Sequence, residues 1–455
     1  MLTLRRIWER LESRPRMRAI LHGGASGLLS KGLALVVSMV TLPLLVRYLG
    51  RAEYGIWITI STSVVMFAVL DIGISSTLIN FIAKAAANND TAAARGYYST
   101  AFWITVLIST LLAIIAFIVW PWVHWQSLFG LSDRVIALQA SRCAMASVAF
   151  LLLNLPLSLA NRVLAGFQEV HVANYFAMIN SVLGLIAIVG GVAAHLSIVG
   201  LMICFSSAML TGTLLLNGWL SFRSRPWIRP RISTVRWSLA SDLFGEGLMF
   251  FVLQISGLVV FNSDNLVIAH YCGPGEVTPY SVTWRMLGYA SMFHGLLIPA
   301  LWPALSDAYH RRELAWVRST YRRFWRLTMA GVTAAALILA LLGQWIIRIW
   351  ASQAAVPTQT LLWFMALWAV VYSLTTNQAC LLAATQRLQL QAVIGVVSVI
   401  INLALSIYLV QRIGSLGAII GTLTSYIVFV IAPQTWEVRN ILRGRYLRAA
   451  DAAIC

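Results

Sequence analysis

The chain has 455 residues, of which 60% are hydrophobic and only 11% are charged, and its mean hydropathy is +0.80. These values exclude an ordinary soluble protein. They provide enough apolar sequence for about a dozen spans of ~20 residues, the length that crosses a bilayer. The net charge of +18 would indicate nucleic acid binding in a soluble domain, but in a membrane protein its meaning depends on which loops carry it.

The N-terminal segment 2–18 is basic and amphipathic. Leu4, Ile7, Trp8 and Leu11 share one face of a helix, and arginines occupy the other. This pattern predicts a short helix on an anionic cytoplasmic leaflet, although a frayed basic tail would have the same composition. The apolar run that follows is far longer than the hydrophobic region of a signal peptide, so we expect the first helix to be retained.

Twelve apolar spans follow, six on each side of a basic linker. They cover residues 22–47, 54–82, 97–120, 136–161, 171–194, 198–222, 243–269, 280–305, 326–350, 358–384, 388–410 and 415–433. We therefore predict an all-α integral membrane protein of two six-helix lobes. Its predicted parts are a basic N-terminal segment 1–21, an N-lobe 22–222, a linker 223–242, a C-lobe 243–433 and a C-terminal tail 434–455.

The basic residues are distributed unevenly among the loops. If the N-terminus lies inside, 25 of the 33 Lys and Arg residues fall in inner segments, 5 in outer segments and 3 within spans. By the positive-inside rule this excess predicts cytoplasmic termini and an even number of spans. It also accounts for the net charge, so we predict no nucleic acid partner.

A short signature after the first span returns 223 residues later. Tyr48–Glu53 (YLGRAE) corresponds to Tyr271–Glu276 (YCGPGE), and residues 35–53 share six identities with residues 258–276 at this offset. The repeat therefore predicts that the chain consists of two related halves. Because each half has an even number of spans, we expect parallel repeats about an axis along the membrane normal.

Several charged side chains fall inside the predicted spans, where each costs ~2.5–3.5 kcal/mol on insertion scales and needs a reason. Lys31 lies well inside span 1, with apolar helix on either side. We predict that it lines an aqueous lumen. The alternative is an internal ion pair, for instance with Asp71 in span 2.

Three further charged side chains lie closer to the ends of their predicted spans. Asp264 follows Asn262 and Ser263 in span 7, a polar break that fits a water-filled cavity and an inter-lobe contact equally well. Arg285 lies close to the outer start of span 8, where an interfacial anchor is the alternative to a binding role. Arg142 in span 4 is nearer still to the outer loop, which favours a structural role.

The sequence shows no motif for ATP binding, metal binding or acid–base catalysis. There is no GxxxxGK[ST] motif for ATP, and the five cysteines and seven histidines show no metal-ligand spacing. The predicted outer loops are short and almost devoid of carboxylates, whereas a membrane polymerase or glycosyltransferase needs acids and bases there. We therefore predict no enzyme, catalytic residue, metal or cofactor.

Three motifs carry a family resemblance. PLLVRYLGRAEYGIW after span 1, DNLVIAHYCGPGEVTPY from Asp264 and WPALSDAY after span 8 together resemble the bacterial oligosaccharide flippases. These form the polysaccharide-transporter branch of the multidrug/oligosaccharidyl-lipid/polysaccharide exporter superfamily. The resemblance implies two six-helix bundles that form a V around a central cavity.

The resemblance also implies a function. Family members move undecaprenyl-diphosphate-linked glycans from the inner to the outer leaflet of the bacterial inner membrane by alternating access, for O-antigen or exopolysaccharide biosynthesis. The implied partners are the lipid-linked glycan, the bilayer and other polysaccharide-assembly proteins. A small-molecule exporter of the same fold is the alternative, and a membrane-embedded polymerase is a weaker one.

The resemblance bears on particular residues. Ser30-Lys31 is similar to a serine and basic residue in the first helix of the related lipid II flippase, and Trp284–Leu287 looks like the arginine-bearing segment of its eighth helix. Span 1 lacks the further arginines of that flippase, so the cavity charge need not be the same. Drug exporters commonly carry an acid in the first helix, and span 1 has none before Glu53. The candidate substrate-binding residues are Lys31, Arg285, Asp71, Asp264 and Arg142.

Overall fold

The structure is a computed structural model that describes residues 15–67, 73–131, 133–244, 262–385 and 387–446. Within these ranges the regular elements are helices, and no strand occurs. The prediction of an all-α protein is confirmed. The predicted interfacial segment 2–18 lies outside the described residues except for its last four positions, which open the first helix.

Residues 240–244 are helical, and seven other α-helices occur in the described part of the first 244 residues. They are α1 (Pro15–Phe67), α2 (Ile74–Ala87), α3 (Thr91–Val119), α4 (Trp125–Leu128), α5 (Arg134–Gly166), α6 (Val170–Ala193) and α7 (Ile198–Gly218). A π-helical turn, Trp219–Ser224, follows α7. Three short 3-10 turns (Pro226–Ile228, Ile232–Thr234 and Trp237–Leu239) then follow within the predicted linker.

Residues 445 and 446 are helical, and seven longer α-helices occur in the described residues after position 261. They are α8 (262–272), α9 (Pro274–His310), α10 (Leu314–Trp350), α11 (Gln359–Ala384), α12 (Leu388–Ile413), α13 (Leu416–Ser425) and α14 (Ala432–Leu442). A π-helical turn, Tyr426–Ile431, joins α13 to α14. The last helix therefore continues into the segment predicted as a C-terminal tail.

Short polar side chains determine where several helices begin. The carboxylate of Asp90 accepts the Ala93 amide at 2.8 Å before α3, and that of Asp133 accepts the Val135 amide at 2.7 Å before α5. Thr358 caps α11 in the same way. Each cap provides an acceptor for an amide that would otherwise have no partner in the first helical turn.

The chain divides into two compact units. The first contains Met1–Tyr48, Ser63–Leu128 and Ser132–Gln254, and the second contains Leu49–Thr62, Phe129–Leu131 and Ile255–Cys455. The second unit therefore includes a piece of α1 that lies far away in sequence. The lobe boundaries expected from the linker remain a prediction.

The core of the first unit lies between α2, α3, α5 and the linker. It contains fully buried Leu78, Tyr98 and Leu159, and Ile228 of the linker joins it. The linker is also held by hydrogen bonds: the amide of Arg236 donates to the Thr100 hydroxyl of α3 at 3.0 Å. It is thus packed structure rather than a loose connection.

A bidentate ion pair fixes the start of the linker. Two guanidinium nitrogens of Arg225 donate to the two carboxylate oxygens of Glu169, each at 2.8 Å. The same guanidinium lies 4.2 Å from the centre of the Phe167 ring. Parallel hydrogen bonds of this kind add geometric specificity to the charge interaction.

Nine helices in the described ranges are long and apolar enough to cross a membrane. Their large apolar side chains include many that are exposed, such as Phe117 at 82% and Leu327 at 71%, as expected for surfaces that face lipid. A multi-pass membrane protein is therefore confirmed, whereas the number of twelve spans remains a prediction. Residues predicted as span 2 are divided between the end of α1 and α2, and residues 68–72 lie outside the described part.

The repeated signature corresponds to a repeated backbone feature. Gly50 interrupts α1 with φ 72° and ψ −172°, and Gly273 separates α8 from α9 with φ 83° and ψ 158°. Residues with a side chain rarely adopt this region, so glycine is required at both places. The two equivalent glycines therefore make equivalent breaks between helices, which explains why the signature occurs twice.

The two copies of the signature also contact each other inside the second unit. Arg51 forms an ion pair of 2.6 Å with Glu276, and its Nε donates to the Gly275 carbonyl at 2.9 Å. The Thr278 hydroxyl donates to the Arg51 carbonyl at 2.6 Å. One turn later, a Cβ on Gly55 would lie 1.8 Å from the Pro274 carbonyl oxygen, so the two backbones meet there.

Candidate functional site

Three helical segments of the second unit surround a polar cavity of about 250 Å³. They are the second part of α1, residues 262–265 of α8 and the first half of α9. The lining residues are Ile58, Thr62, Asn262, Asp264, Asn265, Tyr280, Ser281, Trp284 and Arg285. A carboxylate, two amides, hydroxyl groups and one guanidinium thus share one small space.

Polar residues in the described part of α8 supply one wall of this polar cavity. The described part of this helix includes four consecutive polar residues, Asn262–Asn265, and four consecutive residues point to all sides of a helix. Ser263 and Asp264 are buried, and the Asn265 amide lies 3.3 Å from the Thr62 hydroxyl on α1. Because the break at Gly273 separates α8 from α9, the first turns of α9 can pack beside the same residues.

Asp264 is the more enclosed of the two charged groups that line the polar cavity, with only 4% of its surface exposed. Its Oδ2 accepts hydrogen bonds from the Tyr280 hydroxyl at 2.7 Å and from the Thr422 hydroxyl at 3.3 Å. Its Oδ1 has no hydrogen-bond partner among the described residues. A buried carboxylate is costly unless compensated, so the site retains an acceptor for a proton or a polar ligand.

A cluster of polar side chains on α12 and α13 contacts Asp264 through the Thr422 hydroxyl. Asn402 is fully buried, and its amide donates to the hydroxyls of Thr422 at 3.0 Å and Ser425 at 3.2 Å. Sequence analysis missed these residues. The available signal was a single amide within an apolar span, which resembles many polar contacts between membrane helices.

Arg285 is exposed and lines the polar cavity from α9. Among the described residues, no salt bridge joins it to Asp264. A guanidinium presents five donors in a planar fork that matches the oxygens of a phosphate group. The polar cavity therefore combines a group suited to phosphate with acceptors suited to hydroxyls.

A second cavity, of about 310 Å³ and lined partly by aromatic side chains, lies between α9 and α11. Trp284 lines both cavities. It stacks on Tyr280 with ring centres 6.3 Å apart and on Trp368 at 5.7 Å. Flat aromatic faces beside polar groups suit ligands that present both apolar C–H faces and hydroxyls.

The other predicted residues do not join these two cavities. Lys31 and Arg142 belong to the first unit, and both side chains are exposed. Asp71, the suggested partner of Lys31, lies outside the described residues. Of the five candidates, the structure thus brings together Asp264 and Arg285, and a role in binding remains a prediction for all five.

Comparison with known proteins identifies the family. Residues 20–309 match the family described as "Polysaccharide biosynthesis protein". This chain belongs to that family. The matched region includes α1 to α9 and hence the polar cavity, and the resemblance to polysaccharide transporters is confirmed.

One curated relative is a Salmonella typhi protein named "Putative O-antigen transporter". It is 23% identical over 310 residues, which cover 68% of this chain and 69% of the relative.

Two solved structures have the same fold. A multidrug resistance MATE family transporter of the MOP superfamily, in an inward-facing conformation, matches with a TM-score of 0.72 and 14% identity, over 90% of this chain and 99% of that one. The lipid II flippase MurJ, in an inward closed conformation, matches with a TM-score of 0.70 and 15% identity, over 91% of this chain and 87% of that one. At these identities the matches establish the fold alone.

Proposed function

We propose that this protein is a flippase that moves an undecaprenyl-diphosphate-linked oligosaccharide from the inner to the outer leaflet of the bacterial inner membrane. The observation that carries the proposal is the family match over residues 20–309 in a chain of membrane-spanning helices. The relative named as an O-antigen transporter supports a surface glycan as the cargo. Transport is by alternating access, and no bond of the substrate is made or broken.

The substrate has three chemically different parts, and the described side chains suit two of them. A basic residue holds the diphosphate by charge-assisted hydrogen bonds, which a low-dielectric environment strengthens. Arg285 and Lys31 are the residues we assign to this role. Sugar rings lie against the faces of Trp284 and Trp368, and hydroxyl groups reach Asp264 and its neighbours. The polyprenyl tail stays in lipid.

The membrane potential helps to drive export. It is negative inside, so outward movement of an anion gains ~2.3 kcal/mol per charge per 100 mV. Transport in proteoliposomes should therefore accelerate with an imposed inside-negative potential. Insensitivity to the potential, with a strict requirement for a sodium or proton gradient, would contradict this part of the proposal.

We also propose an orientation and a division of the chain. Both termini and the linker 223–242 face the cytoplasm, because the Lys and Arg excess lies on that side. Residues 22–222 and 243–433 form the two lobes. Cysteine substitutions in the linker should be protected from an impermeant thiol reagent in intact cells and should react after permeabilisation.

A second candidate function is small-molecule export. The structural match to a multidrug resistance transporter with a TM-score of 0.72 favours it. Cells that express the protein would then survive higher concentrations of toxic compounds. Under the preferred proposal such resistance is absent and surface glycan depends on the protein.

The decisive experiment is complementation of a flippase-null strain. Wild type should restore surface glycan, whereas Lys31→Ala and Arg285→Ala should reduce it at equal protein levels. Lys84→Ala and Arg348→Ala are matched controls, because both change exposed basic side chains near helix ends. Normal glycan from both test variants would refute the role of the basic residues, and no rescue by wild type would refute the function itself.

A further inference from the structure

A second charged cavity lies away from the candidate site, at the junction of α10 and α14 in the second unit. Its volume is about 640 Å³. The lining residues are Arg318, Arg322, Arg439, Leu442, Arg443 and Arg445, so five of the six carry a guanidinium. We call it the arginine cavity.

The arginine cavity lies beyond the hydrocarbon part of the membrane. Helix α10 has 37 residues and is therefore ~55 Å long at 1.5 Å per residue, against ~30 Å for a bilayer core. Its uninterrupted apolar stretch begins after Arg326, so the turns that carry Arg318 and Arg322 project from the membrane. The positive-inside rule assigns this end to the cytoplasm.

Helix geometry directs the arginines toward one another. Arg318 and Arg322 are four residues apart on α10, and Arg443, which directly follows the end of α14, comes four residues after Arg439. Residues at this spacing lie on one face of a helix. Like charges so placed on α10 repel each other, and a bound anion would offset this repulsion.

The walls of the arginine cavity are held in place by packing. Val317 and Tyr321 of α10 and Val438 and Ile441 of α14 are buried in one apolar cluster. The Nε of Arg318 donates to the Leu442 carbonyl. The cavity is therefore formed before any ligand arrives, which lowers the entropic cost of binding.

The nearby acid on α14 is directed elsewhere. Glu437 is buried, accepts the Tyr446 hydroxyl at 2.7 Å and lies 3.9 Å from Arg387. It does not line the arginine cavity. The Glu437 carboxylate thus interacts with Tyr446 and Arg387, which do not line the arginine cavity.

Exposed tryptophans indicate the level of the membrane surface. Trp325 lies one turn from Arg322 and Trp436 one turn from Arg439, in each case on the membrane side of the arginine, with exposed fractions of 38% and 60%. Indole rings concentrate at the boundary between hydrocarbon and headgroups. The arginines one turn further out are therefore at the depth of lipid phosphates.

We propose that the arginine cavity binds the phosphate group of an anionic membrane lipid such as phosphatidylglycerol. Guanidinium groups bind phosphate oxygens in pairs, and basic pockets between helices on the cytoplasmic side are suited to acidic headgroups. The site is separate from the cavities that we assign to the transported substrate. It ties the cytoplasmic ends of α10 and α14 to the lipid composition of the inner leaflet.

The test uses the full-length protein in neutral detergent. Phosphatidylglycerol is titrated, and both the thermal unfolding midpoint and the lipid retained in native mass spectrometry are recorded. Phosphatidylcholine is the uncharged control, and inorganic phosphate and diphosphate test a free anion as the source. The variants are Arg322→Gln and Arg439→Gln, one on each helix. Arg323→Gln is the matched control, since Arg323 is the adjacent exposed residue on α10 and does not line the cavity.

Phosphatidylglycerol should raise the unfolding midpoint of the wild type, and phosphatidylcholine should not. Each test variant should need about fivefold more lipid for half of the effect, which corresponds to ~1 kcal/mol per basic residue at an anionic surface, and Arg323→Gln should behave as wild type. The proposal would be overturned if Arg323→Gln weakened lipid binding as much as the test variants, or if neither test variant weakened it. Saturation by inorganic phosphate at the same concentration would show that a free anion rather than a lipid is the ligand.

Discussion

The repeated glycine provides a quantitative test of the fold. Gly50 has φ 72° and ψ −172°, and no heavy atom lies within 4 Å of the position that a Cβ would occupy. Substitution by alanine therefore causes no clash. The expected loss of stability therefore comes from the backbone alone. Alanine would have to adopt φ and ψ values that almost only glycine adopts, which costs ~1–3 kcal/mol.

A control for this change lies in the same helix. Gly32 is helical and also has nothing within 4 Å of a Cβ, so Gly32→Ala should stabilise the helix by ~0.5–1 kcal/mol. The two single-methyl changes in α1 should thus differ by ~1.5–4 kcal/mol in the free energy of unfolding. Gly273→Ala should behave like Gly50→Ala, because its φ is 83° and its nearest neighbour is 4.0 Å away.

The measurement is reversible unfolding of the purified variants in mixed micelles, followed by tryptophan fluorescence. Loss of stability in Gly50→Ala and Gly273→Ala, together with unchanged or improved stability in Gly32→Ala, is the expected pattern. If Gly50→Ala is as stable as Gly32→Ala, then the backbone at residue 50 is not in the glycine-only region and the explanation of the repeat fails.

Further changes test other contacts, again by unfolding in mixed micelles. Gly55→Ala should destabilise by ~1–3 kcal/mol, because its Cβ would lie 1.8 Å from the Pro274 carbonyl oxygen; wild-type stability would contradict this approach of the two backbones. Asp264→Asn should cost less than Asp264→Leu, since only the leucine leaves the Tyr280 hydroxyl without its acceptor, at ~1–3 kcal/mol; equal losses would contradict that. Arg225→Lys should cost ~0.5–1.5 kcal/mol through loss of one of two parallel hydrogen bonds, and unchanged stability would show that the second hydrogen bond adds none.

Much of the fold was predictable, because membrane helices follow from the length of apolar segments. The signature at Tyr48–Glu53 and Tyr271–Glu276 could be found by comparing the chain with itself, and the structure gives its cause in the two glycine breaks. The polar run around Asp264 also pointed to a cavity, since such a run cannot face lipid. These inferences depend on local composition, which sequence contains directly.

The rest depends on which helices become neighbours. Nothing in the sequence brings Asn402, Thr422 and Ser425 next to Asp264, because each is a single polar residue in an apolar helix and such residues are common. The contact of Arg51 with Glu276 joins positions that are far apart in the chain. The five arginines on α10, on α14 and just after α14 were counted as loop charge, and only the packing of the two helices shows that they share one cavity.

The assignment of Leu49–Thr62 to the second unit has a practical consequence for building chimaeras. Exchange of halves between two relatives would naturally place the crossover in the linker 223–242. Residues 49–62 would then come from one parent and their packing partners at 262–285 from the other. A chimaera intended to transfer glycan preference should therefore carry this short stretch of α1 from the same parent as the C-terminal half.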